Sequence, residues 1–180
     1  MSLLLLTGLA LCFAAAISDL WRGTIPNALT YPVIALSPLL HFGLALYSGE
    51  PWRAAFLQGA LSLLGILACG VVPYFMWRKQ AIGGGDVKLF AAIGGLLLPQ
   101  CGFEAELYVF VCASLVAPAQ LAYQGKLLRT VWNIGQQAVN LVRPAARRTP
   151  LAPAAMTWFR LGPCFVLGFL VELVLHWRAS

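Results

Sequence analysis

Six stretches of this chain stay apolar for close to the thickness of a bilayer, and this limits its fold more than any other feature. They run over about 2–18, 28–48, 54–77, 87–103, 105–123 and 161–177. A helix needs about 20 apolar residues to cross the hydrocarbon layer. Only 10% of the 180 residues are charged, against about 25% in a soluble domain. The expected fold is an all-α integral membrane protein with about six transmembrane helices. No internal repeat or break in composition divides it, so 1–180 reads as a single membrane-embedded domain. The first segment ends near Ala14-Ala15-Ala16, as a secretion signal would. It has no Lys or Arg before Arg22, whereas a signal begins positively charged, so it reads as a retained helix.

Charge placement sets the expected orientation. Loops on one side hold Arg22, Arg78, Lys79, Lys88, Lys126, Arg129, Arg143, Arg147, Arg148 and Arg160. The other side holds only Arg53 and Arg178, with Glu50, Glu104 and Glu106. Short cytoplasmic loops are rich in Lys and Arg, so the first side is expected in the cytoplasm and both chain ends outside. The net charge of +6 then signals topology beside anionic lipid, with no nucleic-acid partner.

Between the fifth and sixth segments, Leu128, Val131, Trp132, Ala138, Val139 and Val142 recur at helical spacing. Lys126, Arg129, Asn133, Gln136, Gln137 and Asn140 fall between them. This pattern predicts a basic amphipathic helix over about 126–143, lying in the headgroup layer as an anchor or as a shelf for substrate.

Two acids are placed where an acid is costly. Asp86 follows Gly83, Gly84 and Gly85 and precedes Val87 and Lys88, at the mouth of the fourth segment. An ionised group in a membrane segment costs about 2.5–3.5 kcal/mol on insertion scales. Glycines beside it permit positive φ and close approach of another chain. Alternatively, the glycines are a plain turn and Lys88 neutralises Asp86; the motif alone leaves both readings open. A phosphate loop is excluded by residue order, because Asp86 interrupts and Leu89 follows Lys88.

Asp19 closes the first segment ahead of Leu20-Trp21-Arg22-Gly23-Thr24-Ile25-Pro26-Asn27. Pro26 biases Ile25 towards extended backbone, and Asn27 is suited to cap the next helix. Read alone, this is a connector in which Arg22 pairs with Asp19. The topology puts Asp19 and Asp86 at the same face, however, and two carboxylates at hydrogen-bond range tend to share one proton. One can then take a proton from water while the other donates to a carbonyl oxygen or leaving nitrogen. That chemistry requires no metal or cofactor. His41 and His176 read as interfacial residues at the outer end. The five cysteines form no Cys-x-x-Cys pair and read as small apolar residues.

Gly83-Gly84-Gly85-Asp86 resembles the Gly-x-Gly-Asp motif of the type IV prepilin peptidases, which are membrane aspartic proteases. Asp19 through Ile25-Pro26-Asn27 is similar to that family's first aspartate segment. Arg160-Leu161-Gly162-Pro163 resembles its Pro-Tyr-Gly-Pro entry to the last helix, with Arg160-Leu161 in place of Pro-Tyr. The resemblance implies Asp19 and Asp86 as a catalytic pair, with Gly83, Gly85, Lys88, Arg22, Pro26 and Asn27 shaping or supporting the site. It also implies cleavage of prepilin or pseudopilin leaders at the cytoplasmic face of a bacterial inner membrane. Without paired cysteines the chain is similar to the short, peptidase-only form of tight-adherence (Flp) pilus systems, with no methylation of the new N-terminus. Two rival functions predict different behaviour. A proton-coupled transporter would need a transmembrane pH gradient, and a non-catalytic pilus-assembly scaffold would tolerate loss of both acids.

Overall fold

The computed structural model describes residues 2–123, 125, 127–142 and 160–179. Those residues form helices and connections with no strand among them. In chain order the helices are α1 (Ser2–Arg22), α2 (Asn27–Tyr47), α3 (Trp52–Arg78), α4 (Gly84–Tyr123), α5 (Leu127–Val142) and α6 (Gly162–Ala179). Among the described residues, α1 to α4 are long and apolar enough to cross a membrane, and Gly162–His176 is a shorter apolar helix. Leu3, Leu39, Phe56, Leu67 and Leu107 are among many large apolar side chains on the outside. A surface of this kind suits lipid and not water. Aromatic residues stand exposed at both ends of this length, Trp21 and Trp77 at one and Tyr47 and Trp52 at the other, as interfacial belts do.

The described chain forms two compact units. One comprises residues up to Cys112 together with those from Arg160 onward, and the other covers Ala113–Phe159. In the first unit, α4 is not one straight rod. Phe90 and Phe110 stack at 5.1 Å, whereas twenty residues of straight helix would separate them by about 30 Å. The chain reverses at Leu98, whose φ of 67° and ψ of 168° lie outside the helical region. Pro99 explains the position, since a proline disfavours helical backbone in the residue before it. A turn was expected from the sequence around Gln100 to Glu104; the proline moves it earlier.

The reversal leaves carbonyls without helical donors, and neighbouring helices supply them. Gly95 O would normally accept from residue 99, but proline has no N–H; Ser62 Oγ of α3 donates to it instead at 2.7 Å. Leu96 O meets His41 Nε2 of α2 at 3.0 Å. His41 is therefore a buried partner of broken backbone, not the interfacial residue its sequence position suggested. In lipid, an unmet carbonyl at this depth would cost several kcal/mol.

The first leg of α4, residues 84–97, is the central post. Leu89, Phe90, Ala92, Ile93, Leu96 and Leu97 are all buried along it. Gly94 meets Gly65 of α3 backbone to backbone, a close approach of the small-residue kind that drives helix packing in membranes. Phe165 of α6 packs on Phe90 at 4.4 Å, and Gly8 of α1 takes the ring of Phe169. These contacts hold the N-terminus of the post beside the end of α1 and the start of α6. The start of α1 and the end of α6 therefore lie at the opposite end.

In the second unit, α5 is amphipathic as the sequence predicts. Leu128, Val131, Trp132 and Val139 are exposed, while Asn133, Gln136 and Asn140 are half-buried. Apolar side chains facing outward suit the lipid headgroup boundary. Lys126 and the basic residues Arg143, Arg147 and Arg148 lie outside the described residues.

Candidate active site

Asp19 sits one turn before the end of α1. The helix stops at Gly23, whose φ of 68° is left-handed and whose N–H donates to the Asp19 carbonyl at 2.8 Å; glycine takes this capping conformation without strain. The Asp19 side chain is buried and accepts the N–H of Gly162 at 3.0 Å. Gly162 opens α6, so the carboxylate lies where helix amides lack internal partners and the dipole favours negative charge. A Cβ at 162 would stand 2.8 Å from Asp19 Oδ2 and 3.0 Å from Ala16 Cα, so only glycine lets α6 come this close. Arg160 donates to the Leu20 carbonyl and ties the entry of α6 to the exit of α1.

Asp86 is the third residue of α4, and its Oδ2 accepts the N–H of Gly83 at 3.0 Å. This is the acid's half of a capping box. None of Gly83, Gly84 and Gly85 has positive φ, so the expected reason for the glycines holds only in part. Close approach is the part that applies. A Cβ on Gly85 would stand 3.0 Å from Ile25 Cβ, and one on Gly84 would stand 3.3 Å from Trp77 Nε1. Ile25 is buried in the connection that follows Asp19, so its packing on Gly85 joins the two acid-bearing segments. The charge of Asp19 acts on Asp86.

The supporting residues fall differently from expectation. Lys88 does not pair with Asp86; its Nζ donates to Asn27 Oδ1 at 2.7 Å and lies 5.0 Å above the Tyr31 ring. Asn27 is the first residue of α2, and Pro26 occupies the cap position with no side-chain cap. Arg22 is exposed and forms no ion pair with Asp19 among the described residues. Gly162 is the neighbour of Asp19 that sequence reasoning left without a role. Its signal was a glycine directly before Pro163 at the mouth of an apolar helix, where an amide has no helical partner.

The site thus holds two acids, each on one backbone amide and neither neutralised by a cation among the described residues. A protein named prepilin peptidase EppA, from Methanothermobacter thermautotrophicus, is 49% identical to this chain over 86 residues. The match covers 48% of this chain and 21% of that relative, so the chain spans about a fifth of its length. No solved structure matches. The sequence profile of the type IV leader peptidase family matches residues 6–119, a stretch that contains Asp19, the Ile25 connection, the glycine run and Asp86; the chain belongs to that family.

Proposed function

We propose that this chain is a membrane aspartic endopeptidase that removes the leader of type IV prepilins or pseudopilins, acting as one membrane-embedded domain through Asp19 and Asp86. The observation that supports this reading is that each acid lies at a helix N-terminus, in segments joined by the packing of Ile25 on Gly85. Each is positioned by an uncharged amide, Asp19 by Gly162 and Asp86 by Gly83. Fixed amides orient a carboxylate without removing its charge, as a lysine or arginine partner would. A pair held this way is free to share one proton.

In the proposed reaction the ionised member takes a proton from water. The water oxygen attacks the scissile carbonyl carbon while the protonated member donates to the carbonyl oxygen. The resulting diol collapses: the acid that took the water proton passes it to the nitrogen as the C–N bond breaks, and one diol hydroxyl gives its proton to the other acid as the carboxyl C=O forms. Both acids end with the protons they began with.

The orientation supports a cytoplasmic site in a bacterial inner membrane, since Arg22, Arg78, Lys79 and Arg160 cluster in the connections at the acid end. A prepilin's apolar helix can then lie in lipid beside the protein while its leader reaches the acids. The test is cleavage of a purified prepilin in detergent with chelator present. Cleavage is expected from the unaltered chain and lost in Asp19→Asn and Asp86→Asn. Retained cleavage in either variant contradicts the proposal, and dependence on a pH gradient would favour the transporter.

A further inference from the structure

The far end of the first unit holds a second group of reactive side chains that the proposed chemistry does not use. Cys101 and Glu104 lie on the second leg of α4, three residues apart. Glu172 and His176 lie on α6, four residues apart. Each spacing puts its two side chains on one helix face. The two faces meet because α6 crosses the second leg closely at Gly168, where a Cβ would stand 2.5 Å from Val109 N. The helices run in opposite directions there, so moving from Gly168 to Glu172 and His176 matches moving from Val109 back towards Glu104 and Cys101. Ligand atoms of Cys101, Glu172 and His176 all lie within 4.8 Å of one another.

A second observation is an open acceptor in this group. Glu172 is 1% exposed, and its Oε1 has no hydrogen bond among the described residues. His176 Nδ1 is 3.6 Å away, within ion-pair range when the imidazole is protonated but beyond hydrogen-bond range. A buried carboxylate oxygen left this way is costly, and a cation between these side chains would satisfy it.

We infer that Cys101, Glu172 and His176 form a three-residue binding site for one divalent transition-metal ion of the zinc type. A thiolate, an imidazole and a carboxylate are donors that zinc accepts, whereas magnesium and calcium take oxygen alone. Around zinc the ligand atoms stand about 3.3–3.8 Å apart, so the group closes by a shift of about 1 Å through side-chain rotation. The site is structural. Glu172 and His176 are ten and fourteen residues past Gly162, about 15 and 21 Å along the helix from the amide that holds Asp19. An ion here clamps α6 to the second leg of α4 and leaves the acids alone. The inference does not depend on the peptidase reading.

The test is cobalt binding by the full chain, purified in detergent and stripped with chelator. One Co2+ per chain is expected, with a thiolate-to-cobalt charge-transfer band and the intense visible bands of a four-coordinate site, all erased by Zn2+. Cys101→Ser should lose the charge-transfer band. Glu172→Gln and His176→Ala should weaken binding at least tenfold, whereas Cys12→Ser and Asp86→Asn should bind as the unaltered chain does. Zn2+ should raise the melting temperature of the stripped chain but not of Cys101→Ser. Because the unaltered chain is itself measured, a misfolded variant does not remove the test. Failure of the unaltered chain to bind Co2+, or a thiolate band that survives in folded Cys101→Ser, overturns the site.

Discussion

The two ends of the first unit hold their acids by opposite means. Asp19 and Asp86 each rest on a backbone amide, whereas Glu172 is more deeply buried and has a carboxylate oxygen with no hydrogen bond among the described residues. Amides at helix N-termini are rigid and uncharged, so they position an acid and leave its proton exchangeable. A thiol and an imidazole beside Glu172 instead suit a bound ion. Burial by itself therefore says little about an acid's role; the kind of donor facing it says more.

Substitutions at the acid end should have the largest effects. Asp19→Asn and Asp86→Asn each lower prepilin cleavage by at least about a thousandfold, as loss of a proton-transfer group does, while cobalt binding at the far end stays intact. If either variant lost metal along with activity, the two ends would not be separable. Gly162→Val should cost about a hundredfold in kcat/KM with the chain still folded, because the added carbons push α6 off Asp19 and a displacement of about 1 Å carries that penalty. Gly85→Ala should cost about tenfold by the same principle, since only the Ile25 contact must give. Gel-resolved cleavage of co-expressed prepilin ranks all four variants.

Smaller effects sharpen the comparison. Lys88→Met removes the bond to Asn27, a contact that braces α4 against α2. Thermal unfolding should show a loss of about 1 kcal/mol, with the cleavage rate changed no more than a few-fold. Chelator should leave the initial cleavage rate at room temperature unchanged while lowering the melting temperature, which splits the two ends by reagent instead of by mutation.

The membrane class and the helices were legible in the sequence because lipid leaves a long apolar run few options. Asp19 and Asp86 stood out because an acid beside such a run is costly. What the sequence left open depends on contacts between distant segments. The amide of Gly162 lies 143 residues from Asp19, and nothing local to Asp19 announces it. Lys88 was expected beside Asp86, its neighbour in sequence, yet it bonds to Asn27, 61 residues away. The turn between the fourth and fifth apolar segments was legible, but the apolar pattern runs past Leu98 and put it a few residues late, although Pro99 marks the place. Cys101, Glu172 and His176 look scattered in the chain and share a face only once α4 folds back and meets α6.

The central claim is that Asp19 and Asp86 act as a unit, and the kinetics of the double variant test it most directly. The measurement is kcat/KM for a purified prepilin in detergent with chelator, for the unaltered chain, each Asp→Asn variant and the pair together. Groups that act as one device are strongly non-additive, so the double variant should be no slower than either single one. If the losses instead multiply, the two acids work independently and the dyad is contradicted.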